Sequence, residues 1–283
     1  ARAGNVIGGG DFSADRLIVV FPDTDNINAT EAIIEGGAMW STIAKKTVDY
    51  WSKSIQTLTP KGECELCLQN AGGLFFLCDH CLQELPHTVF ACSQCSEPMT
   101  SPGRCGRCQQ KPPAFDYSYC PFLYQQPISL WIKSCKDSHQ LIWLSRLTGL
   151  MERNQPGNLP QADAITFIPS SRRKLFNRGF NVTEIIARRL AKRLGIPLIP
   201  NALCKTSGND QRGLSASQRH RNLRNSLQPG KQDLRGKHIV IIEDVMTTGA
   251  TANAAASALK QQGAGIVGIW ALARTPPPQW QRT

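Results

Sequence analysis

The sequence predicts an α/β protein with a parallel sheet flanked by helices, preceded by a small cysteine-rich module. In the C-terminal half, short apolar runs alternate with segments of helical periodicity, as is typical of parallel sheets covered on both faces. One run, residues 239–242, consists of four β-forming residues and leads into a loop rich in threonine and glycine. Further upstream, eight of the 11 cysteines form four Cys-x-x-Cys pairs, which predict a separate module.

Three parts of the chain differ in composition. We assign residues 1–60 to an N-terminal extension of uncertain character, 61–112 to the cysteine module and 113–283 to the sheet domain, with Pro112-Pro113 at the boundary. A length of 283 residues allows one ordinary domain and a smaller module. The longest apolar stretches fall short of the roughly 20 residues of a membrane helix, and no signal peptide is recognisable. We therefore expect a cytoplasmic protein without a membrane span.

The secondary structure follows from periodicity and from turn residues. In the extension, residues 18–21 are expected to form a short strand and residues 40–58 a helix. A strand or turn near Tyr119 begins the sheet domain, and Gly195 is expected to end a helix. The predicted strands of this domain are 164–168, 196–199, 238–242 and 266–273, and the predicted helices are 128–134, 139–152, 181–194 and 252–262.

A candidate phosphate and sugar site follows the strand over residues 239–242. Glu243 and Asp244 come at its carboxyl end, the edge at which open α/β sheets bind ligands. The loop Thr247–Thr251 leads into a helix, whose first backbone N–H groups are free to hold a phosphate. Gly249 allows close approach of the backbone, and the acids can accept hydrogen bonds from sugar hydroxyls. The alternative is a strand–turn–helix unit whose acids only solvate a loop.

This segment resembles the phosphoribosyl pyrophosphate (PRPP) motif of type I phosphoribosyltransferases: an apolar strand, two acids, two further residues and then Thr-Thr-Gly-x-Thr. The resemblance implies that Glu243 and Asp244 bind the ribose hydroxyls and steady positive charge on the ribose during transfer. It implies that the loop binds the 5-phosphate, and that Arg172 and Arg173, after strand 164–168, face the pyrophosphate and its Mg²⁺. The implied PRPP-binding residues are Glu243, Asp244, Val245, Thr247, Thr248, Gly249, Ala250, Thr251, Arg172 and Arg173.

Positive charge is concentrated beside this motif. The net charge is +11, and between residues 170 and 235 there are 15 Lys or Arg against 3 Asp or Glu. Such a block favours polyanions, because each phosphate that it neutralises releases counterions. We expect single-stranded DNA to contact it, although a solubilising surface or a basic connector remains the alternative. The candidate nucleic-acid-binding residues are Arg178, Arg219, Arg221 and Arg224.

The four cysteine pairs have the spacing of zinc knuckles. They are separated by 10, 10 and 9 residues, and two pairs complete a tetrahedral Cys₄ site. Sequential pairing gives two sites, but interleaved pairing, a single occupied site and an iron–sulfur cluster remain open. A reducing compartment disfavours disulfides, and a closed Cys₄ site indicates structural zinc. The candidate ligands are Cys64, Cys67, Cys78, Cys81, Cys92, Cys95, Cys105 and Cys108.

A cysteine-knuckle ribbon joined to a type I phosphoribosyltransferase-like domain resembles the ComF competence family, including its GntX-like members. This resemblance extends over roughly residues 60–275 and rests on the four knuckles, the segments 106–113 and 178–181, the stretch 211–222 and the PRPP motif. It implies a role in DNA uptake for transformation or in using external DNA as a nutrient, with competence proteins as possible partners. An active phosphoribosyltransferase and a zinc-bearing DNA or protein adaptor with a vestigial PRPP site are the alternatives. Glu243 departs from the family pattern, which commonly has Asp there.

Overall fold

In the computed structural model, the chain forms two compact units, residues 1–56 and 57–283. The structure describes residues 16–21, 30–35, 62–71, 76–137, 140–157, 159–171, 175–176, 179–205 and 227–277. In the first unit, β1 (Arg16–Phe21) pairs antiparallel with β2 (Thr30–Glu35). β1 contains the strand predicted at 18–21, β2 was not predicted, and the predicted helix over 40–58 lies outside the described residues.

The second unit is built on a parallel sheet, as predicted. Its strand order is β3-β9-β8-β5, and β4 also pairs with β9. β6 and β7 form a separate antiparallel pair. The strands are β3 (Tyr117–Tyr119), β4 (Phe122–Leu123), β5 (Ala164–Phe167), β6 (Leu203–Lys205), β7 (Leu227–Pro229), β8 (His238–Met246) and β9 (Ile266–Arg274).

Six α-helices and a short 3-10 helix (Leu159–Gln161) have their bounds in the described part of this unit. The four longer ones confirm the predicted helices to within a few residues, and α5 ends at Gly195, which has the left-handed φ of 67° expected of a C-terminal glycine. The helices are α1 (Asp79–Gln83), α2 (Gly106–Gln110), α3 (Ile128–Asp137), α4 (Ile142–Arg153), α5 (Val182–Leu194) and α6 (Ala250–Gln261). None of them is long and apolar enough to cross a bilayer.

The sheet is covered on both faces, which explains the uninterrupted apolar run of its central strand. Residues 239–242 are all fully buried. Ile239 and Ile241 pack in one cluster with α6 and with cysteines of the module, whereas α5 contacts β8 and β5 from the other side. Burying one such isoleucine side chain stabilises the fold by roughly 1.5–3 kcal/mol. The central strand therefore sits at the middle of a three-layered structure.

The strand predicted at 196–199 is reduced to a single bridge. Leu198 pairs with Ile165 of β5, and the N–H of Ile165 donates to the carbonyl of Pro197 at 2.8 Å. The N–H of Ile199 returns a bond to the carbonyl of Ile165 at 2.9 Å. Pro197 has no N–H to donate, and Pro200 has none either, so a longer ladder cannot form at this edge.

The cysteine module consists of two copies of one substructure. In the first, the N–H of Leu68 donates to the carbonyl of Cys64, and in the second the N–H of Ser96 donates to that of Cys92, both at 2.9 Å. Leu68 and Ser96 share a left-handed backbone, with φ of 61° and 51°. In each copy a short helix begins directly after the third cysteine. Each copy thus forms a hairpin knuckle followed by a helical knuckle.

Candidate functional site

The two acids of the motif lie within β8 rather than after it. The predicted strand ended at residue 242, but β8 continues to Met246 because β9 pairs with it as far as Arg274. Side chains alternate between the two faces of a strand, so Glu243 and Asp244 point to opposite sides of the sheet. Both remain at its carboxyl end, the edge at which a ligand was predicted.

Asp244 forms an ion pair with Lys136 of α3. The ammonium contacts Oδ2 of Asp244, and both side chains are largely buried, with 25% and 15% of their surfaces exposed. Oδ1 of the same carboxylate accepts a hydrogen bond from the N–H of Val245 at 2.7 Å. The sequence did not indicate Lys136, since a lysine near the end of an amphipathic helix is usually solvated.

Glu243 occupies the other face, in an environment that favours its protonated form. Burial and the negative charge of Asp244 raise the pKa of Glu243 to about 8, against the lowering effect of Lys136 and Arg274. Its Oε2 is buried and has no hydrogen-bond partner among the described residues. A buried carboxyl oxygen without a partner is costly unless it is protonated or meets a ligand.

The loop over residues 247–251, which was predicted to bind a phosphate and is named the phosphate loop for that prediction, joins β8 to α6. Thr247 and Thr248 are exposed, and Gly249 adopts a left-handed φ of 77°, which favours glycine over any residue with a Cβ. The N-cap Gly249 has no side chain to cap α6, but the N–H of Ala250 donates to Oγ1 of Thr248 at 3.3 Å. The next N–H groups of the first turn have no carbonyl partner within the helix and can hold an anion, and the exposed threonine hydroxyls add donors.

The loop after β5 lies beside the phosphate loop, because β5 pairs with β8 and Phe167 is opposite Ile242. Two buried polar residues, Asn181 and Thr183, hold the first residues of the loop after β5. The side-chain amide of Asn181 and the hydroxyl of Thr183 both donate to the carbonyl of Ile168, at 3.1 and 3.0 Å. The hydroxyl of Ser170 donates to Oδ1 of Asn181 at 3.0 Å. The start of α5 thereby fixes the segment 168–170, which precedes the predicted pyrophosphate-facing arginines in the sequence.

The predicted arginines themselves remain predictions. The arginines expected to face pyrophosphate and those expected to bind nucleic acid lie outside the described residues, as does the whole of the stretch 211–222. They are Arg172, Arg173, Arg178, Arg219, Arg221 and Arg224.

The eight paired cysteines form two groups in sequential order, as one of the predicted pairings required. One group contains Cys64, Cys67, Cys78 and Cys81, the other Cys92, Cys95, Cys105 and Cys108, and within each group the sulfurs lie within 4.8 Å of one another. Two sulfur pairs, Cys67 with Cys78 and Cys95 with Cys105, are both 3.7 Å apart. That separation is too long for a disulfide and matches the edge of about 3.8 Å in a tetrahedral zinc–thiolate site. Each group can hold a zinc ion.

The thiols of each group have opposing pKa shifts. Burial would raise the pKa of Cys64, but hydrogen bonds from backbone N–H groups outweigh it and lower the value to about 6. The same balance lowers the pKa of Cys92 to about 7. Burial and the neighbouring sulfurs raise the pKa of Cys81 and of Cys108. Four thiolates can coexist in such a group only with a cation between them, as a structural metal site requires.

Arg274, the last residue of β9, connects the second cysteine group with the phosphate loop. It is only 2% exposed. Its Nε donates to the carbonyl of Cys95 at 3.1 Å, and its Nη1 donates to the carbonyls of Met246 (3.0 Å) and Thr247. Sequence reasoning missed this residue as well, because an arginine that ends a strand ordinarily faces solvent.

Comparison with known proteins assigns the chain to a family. Residues 176–279 match the family model described as "Phosphoribosyl transferase domain". The chain is 33% identical over 177 residues to DNA utilization protein YhgH of Escherichia coli O157:H7, an alignment that covers 60% of this chain and 78% of the relative. It is 31% identical over 179 residues to Competence protein F of Haemophilus influenzae, with the same coverage. The chain belongs to the ComF competence family. The parallel sheet of this ComF-family protein is thus that of a phosphoribosyltransferase domain.

Solved structures of lower sequence identity superpose on the chain only with low TM-scores. Orotate phosphoribosyltransferase from Aeropyrum pernix is 19% identical, with a TM-score of 0.31, and the match covers 49% of this chain and 65% of that one. Purine phosphoribosyltransferase from Pyrococcus horikoshii is 20% identical, with a TM-score of 0.31 and coverage of 47% and 83%. The ComF-family assignment rests on the sequence relatives and on the family model.

Proposed function

We propose that this ComF-family protein binds PRPP with its Mg²⁺ at the carboxyl end of β8, and that it acts in the cytoplasm in the handling of DNA. The observation that carries the proposal is the arrangement of Glu243, Asp244 and the phosphate loop. Two carboxyl groups stand at a sheet edge immediately before the first turn of a helix. Few ligands other than a sugar phosphate would satisfy both halves of such a site.

Each part of the proposed site has a physical role. The phosphate loop would hold the 5-phosphate through backbone N–H groups and threonine hydroxyls. Asp244 would accept hydrogen bonds from a ribose hydroxyl, and Glu243, protonated at neutral pH by its raised pKa, could donate one as well as accept one. Mg²⁺ would arrive on the pyrophosphate, which Arg172 and Arg173 are proposed to face.

The proposed role of zinc is structural. Each cysteine group provides four sulfur ligands and leaves no coordination position for a substrate, so neither zinc would take part in chemistry. Zinc bound in both groups would hold together a segment with little secondary structure of its own.

The proposed role in DNA handling rests on the charge of the chain and on the names of its relatives. The relatives carry the names DNA utilization protein and Competence protein F, and the net charge of this chain is +11. We propose that the basic block between residues 170 and 235 contacts single-stranded DNA, with competence proteins as further partners. Fluorescence anisotropy with a labelled single-stranded oligonucleotide tests this. The Kd should rise steeply with salt, because each neutralised phosphate contributes about 0.7 to the logarithmic slope. Binding that is absent, or that is insensitive to salt, would refute this part of the proposal.

Calorimetric titration of the zinc-loaded protein with PRPP and Mg²⁺ tests the binding site. We compare the wild type with Asp244→Asn and, as a control, with Asp233→Asn, which changes an exposed acid that pairs with Arg235 on the loop before β8. Saturable binding should persist in the control and weaken by about tenfold or more in Asp244→Asn, because a charge-assisted hydrogen bond is lost. No binding by the folded wild type, or equal binding by both variants, would refute the site.

A further inference from the structure

Arg274 is a buried arginine whose hydrogen bonds go mainly to backbone carbonyls. Besides Cys95, Met246 and Thr247, it donates to the carbonyl of Thr275 at 3.0 Å. A buried guanidinium is ordinarily neutralised by a bidentate carboxylate, but Oε2 of Glu97 lies 4.0 Å from Nη2. The planar fork of this arginine is therefore used to join segments of backbone that lie far apart in the sequence.

On one side, the fork holds the hairpin knuckle of the second cysteine group. That knuckle is rigidly placed: Oγ of Ser96 bonds with Oγ of Ser118 at 2.8 Å, and Oγ of Ser118 donates to the carbonyl of Gln94 at 2.8 Å. Glu97 in turn pairs with Arg107 of α2 at 2.6 Å. The Cys95 carbonyl is thus a fixed point that depends on the second group.

On the other side, the fork fixes the entrance to the phosphate loop. A peptide unit is planar, and its C=O and N–H point in opposite directions. The carbonyl of Met246 shares its peptide with the N–H of Thr247, and the carbonyl of Thr247 shares its peptide with the N–H of Thr248. The N–H of Thr275 also donates to the carbonyl of Met246, at 3.1 Å, so Arg274 reinforces the orientation of that peptide. The peptide between Thr247 and Thr248 depends on Arg274 more strongly, and its N–H is turned away from the arginine, toward the position proposed for the 5-phosphate.

The first cysteine group has a different support. Oε2 of Glu65, between two of its cysteines, pairs with Nη1 of Arg146 on α4 at 2.9 Å. Phe76, just before its helical knuckle, packs edge-on against Trp131 and Trp143 at 5.4 and 6.0 Å. The first group therefore docks on the helices of one face, whereas the second contacts the loop entrance through Arg274.

We propose that Arg274 is a positioning residue for the phosphate loop, and that it makes the second cysteine group, but not the first, a structural part of the phosphate site. The inference rests on the proposed PRPP function for its ligand, but its geometry concerns the ligand-free protein. Loss of the arginine, or of metal from the second group, should disorder the loop entrance and weaken phosphate binding.

The first experiment measures amide hydrogen exchange of residues 245–251 in the ligand-free protein, together with PRPP affinity and zinc content. Arg274→Met should speed exchange in this segment and raise the Kd for PRPP, each by about tenfold or more, while exchange in β5 and the zinc content stay unchanged. Arg274→Lys, which keeps the charge but not the fork, should fall between Met and the wild type. Arg235→Met, which removes an exposed arginine, is the matched control and should change neither readout.

Two further variants separate the two cysteine groups. Cys105→Ser removes a ligand of the second group and should reproduce the faster exchange over 245–251. Cys67→Ser removes a ligand of the first group and should leave that exchange as in the wild type. Equal effects of the two variants would mean that the module stabilises the domain only in general, and would overturn the inference.

Chemical rescue tests the role of the side chain itself. Arg274→Ala leaves a cavity, and millimolar methylguanidinium should restore slow exchange over 245–251 in this variant but not in Cys105→Ser. Unchanged exchange in both Arg274→Met and Arg274→Ala would overturn the inference, whatever the PRPP result. If the wild type does not bind PRPP while the exchange results are as expected, the proposed function fails and the positioning role of Arg274 stands.

Discussion

Lys136 of α3 forms an ion pair with Asp244 of β8, so the ligand-free site already contains a cation beside its two acids. The pair lies on the face of the sheet opposite Glu243. Lys136 lowers the pKa of Glu243, but burial and the negative charge of Asp244 raise it more strongly. The proposed polyanionic ligand would approach an edge that carries two carboxyl groups, and this lysine would be the counter-charge that makes such an approach favourable.

Replacing Lys136 by methionine should therefore weaken PRPP binding by about tenfold, since a largely buried charge-assisted contact is lost. It should also raise the pKa of Glu243 further. Lys133→Met is the matched control, because Lys133 is exposed on the same helix. Calorimetric titration of both variants measures the difference. An equal loss in the two variants, or no loss in Lys136→Met, would contradict the role given to Lys136.

The raised pKa of Glu243 predicts a dependence of stability on pH. The folded carboxyl has a pKa of about 8, against an ordinary value of 4.5 in the unfolded chain. Between these values the native protein holds a proton that the unfolded chain has released. The contribution of Glu243 to the free energy of unfolding is therefore fully present at pH values below 4.5, and it is lost as the pH rises from there to about 8.

Glu243→Gln removes this titration. We expect the Tm of the wild type to fall relative to that of Glu243→Gln as pH rises from about 5 to about 8. Thermal unfolding followed by circular dichroism at a series of pH values measures the difference between the two proteins. A difference that does not vary with pH, or that changes in the opposite direction, would show that Glu243 has an ordinary pKa.

Arg146 should stabilise the first cysteine group. Its guanidinium pairs with Glu65 and lies over the rings of Phe76 and Trp143, at 5.3 and 4.7 Å from their centroids. Arg146→Met should lower the free energy of unfolding by about 2 kcal/mol and speed zinc release from that group. Urea titration and a chromogenic zinc chelator measure the two effects.

A matched control for Arg146 is Arg193→Met, which breaks a more exposed ion pair with Glu152 at 2.7 Å. Exposed pairs contribute about 0–1 kcal/mol, so this variant should unfold and release zinc nearly as the wild type does. Zinc release from Arg146→Met at the control rate would contradict the role of Arg146 at the first group.

Gly268 of β9 should not tolerate a side chain. A Cβ at this position would lie 2.2 Å from Cζ of Tyr117, the neighbouring residue on β3. Tyr117 cannot move freely, because its hydroxyl bonds with Nε2 of His238 at 2.8 Å. Gly268→Ala should therefore destabilise the protein by about 1–3 kcal/mol, measured by urea unfolding. Gly157→Ala, with open space around its Cβ, is the control, and equal stability of the two variants would contradict the packing at Tyr117.

Local sequence signals predicted much of the sheet domain and identified the eight candidate ligands of the cysteine module, but they left the pairing of the knuckles open. The apolar run 239–242 is buried on both faces, and the even spacing of the knuckles agrees with the sequential groups observed. These features depend on periodicity and on short-range spacing, which a single sequence displays. The second strand of this N-terminal pair, β2, was missed, since six residues without a clear alternation of apolar and polar side chains give only a weak strand signal.

Long-range partners could not be predicted in this way. Arg274 bonds with Cys95, 179 residues away, and Lys136 pairs with Asp244 across two layers of the fold. Nothing local distinguishes these basic residues from others in a strongly basic chain. The extension of β8 past residue 242 likewise depends on its pairing with β9, and it decides that the two acids face opposite sides of the sheet.

The most direct test of the central claim is hydrogen exchange of the zinc-loaded protein with and without PRPP and Mg²⁺. We expect PRPP to slow the exchange of amides in residues 247–251 and at the start of α6, and ribose 5-phosphate to slow the same amides less. Asp244→Asn should lose most of this protection. Protection confined to other segments, or none at saturating PRPP in a folded protein, would contradict a phosphoribosyl site at the end of β8.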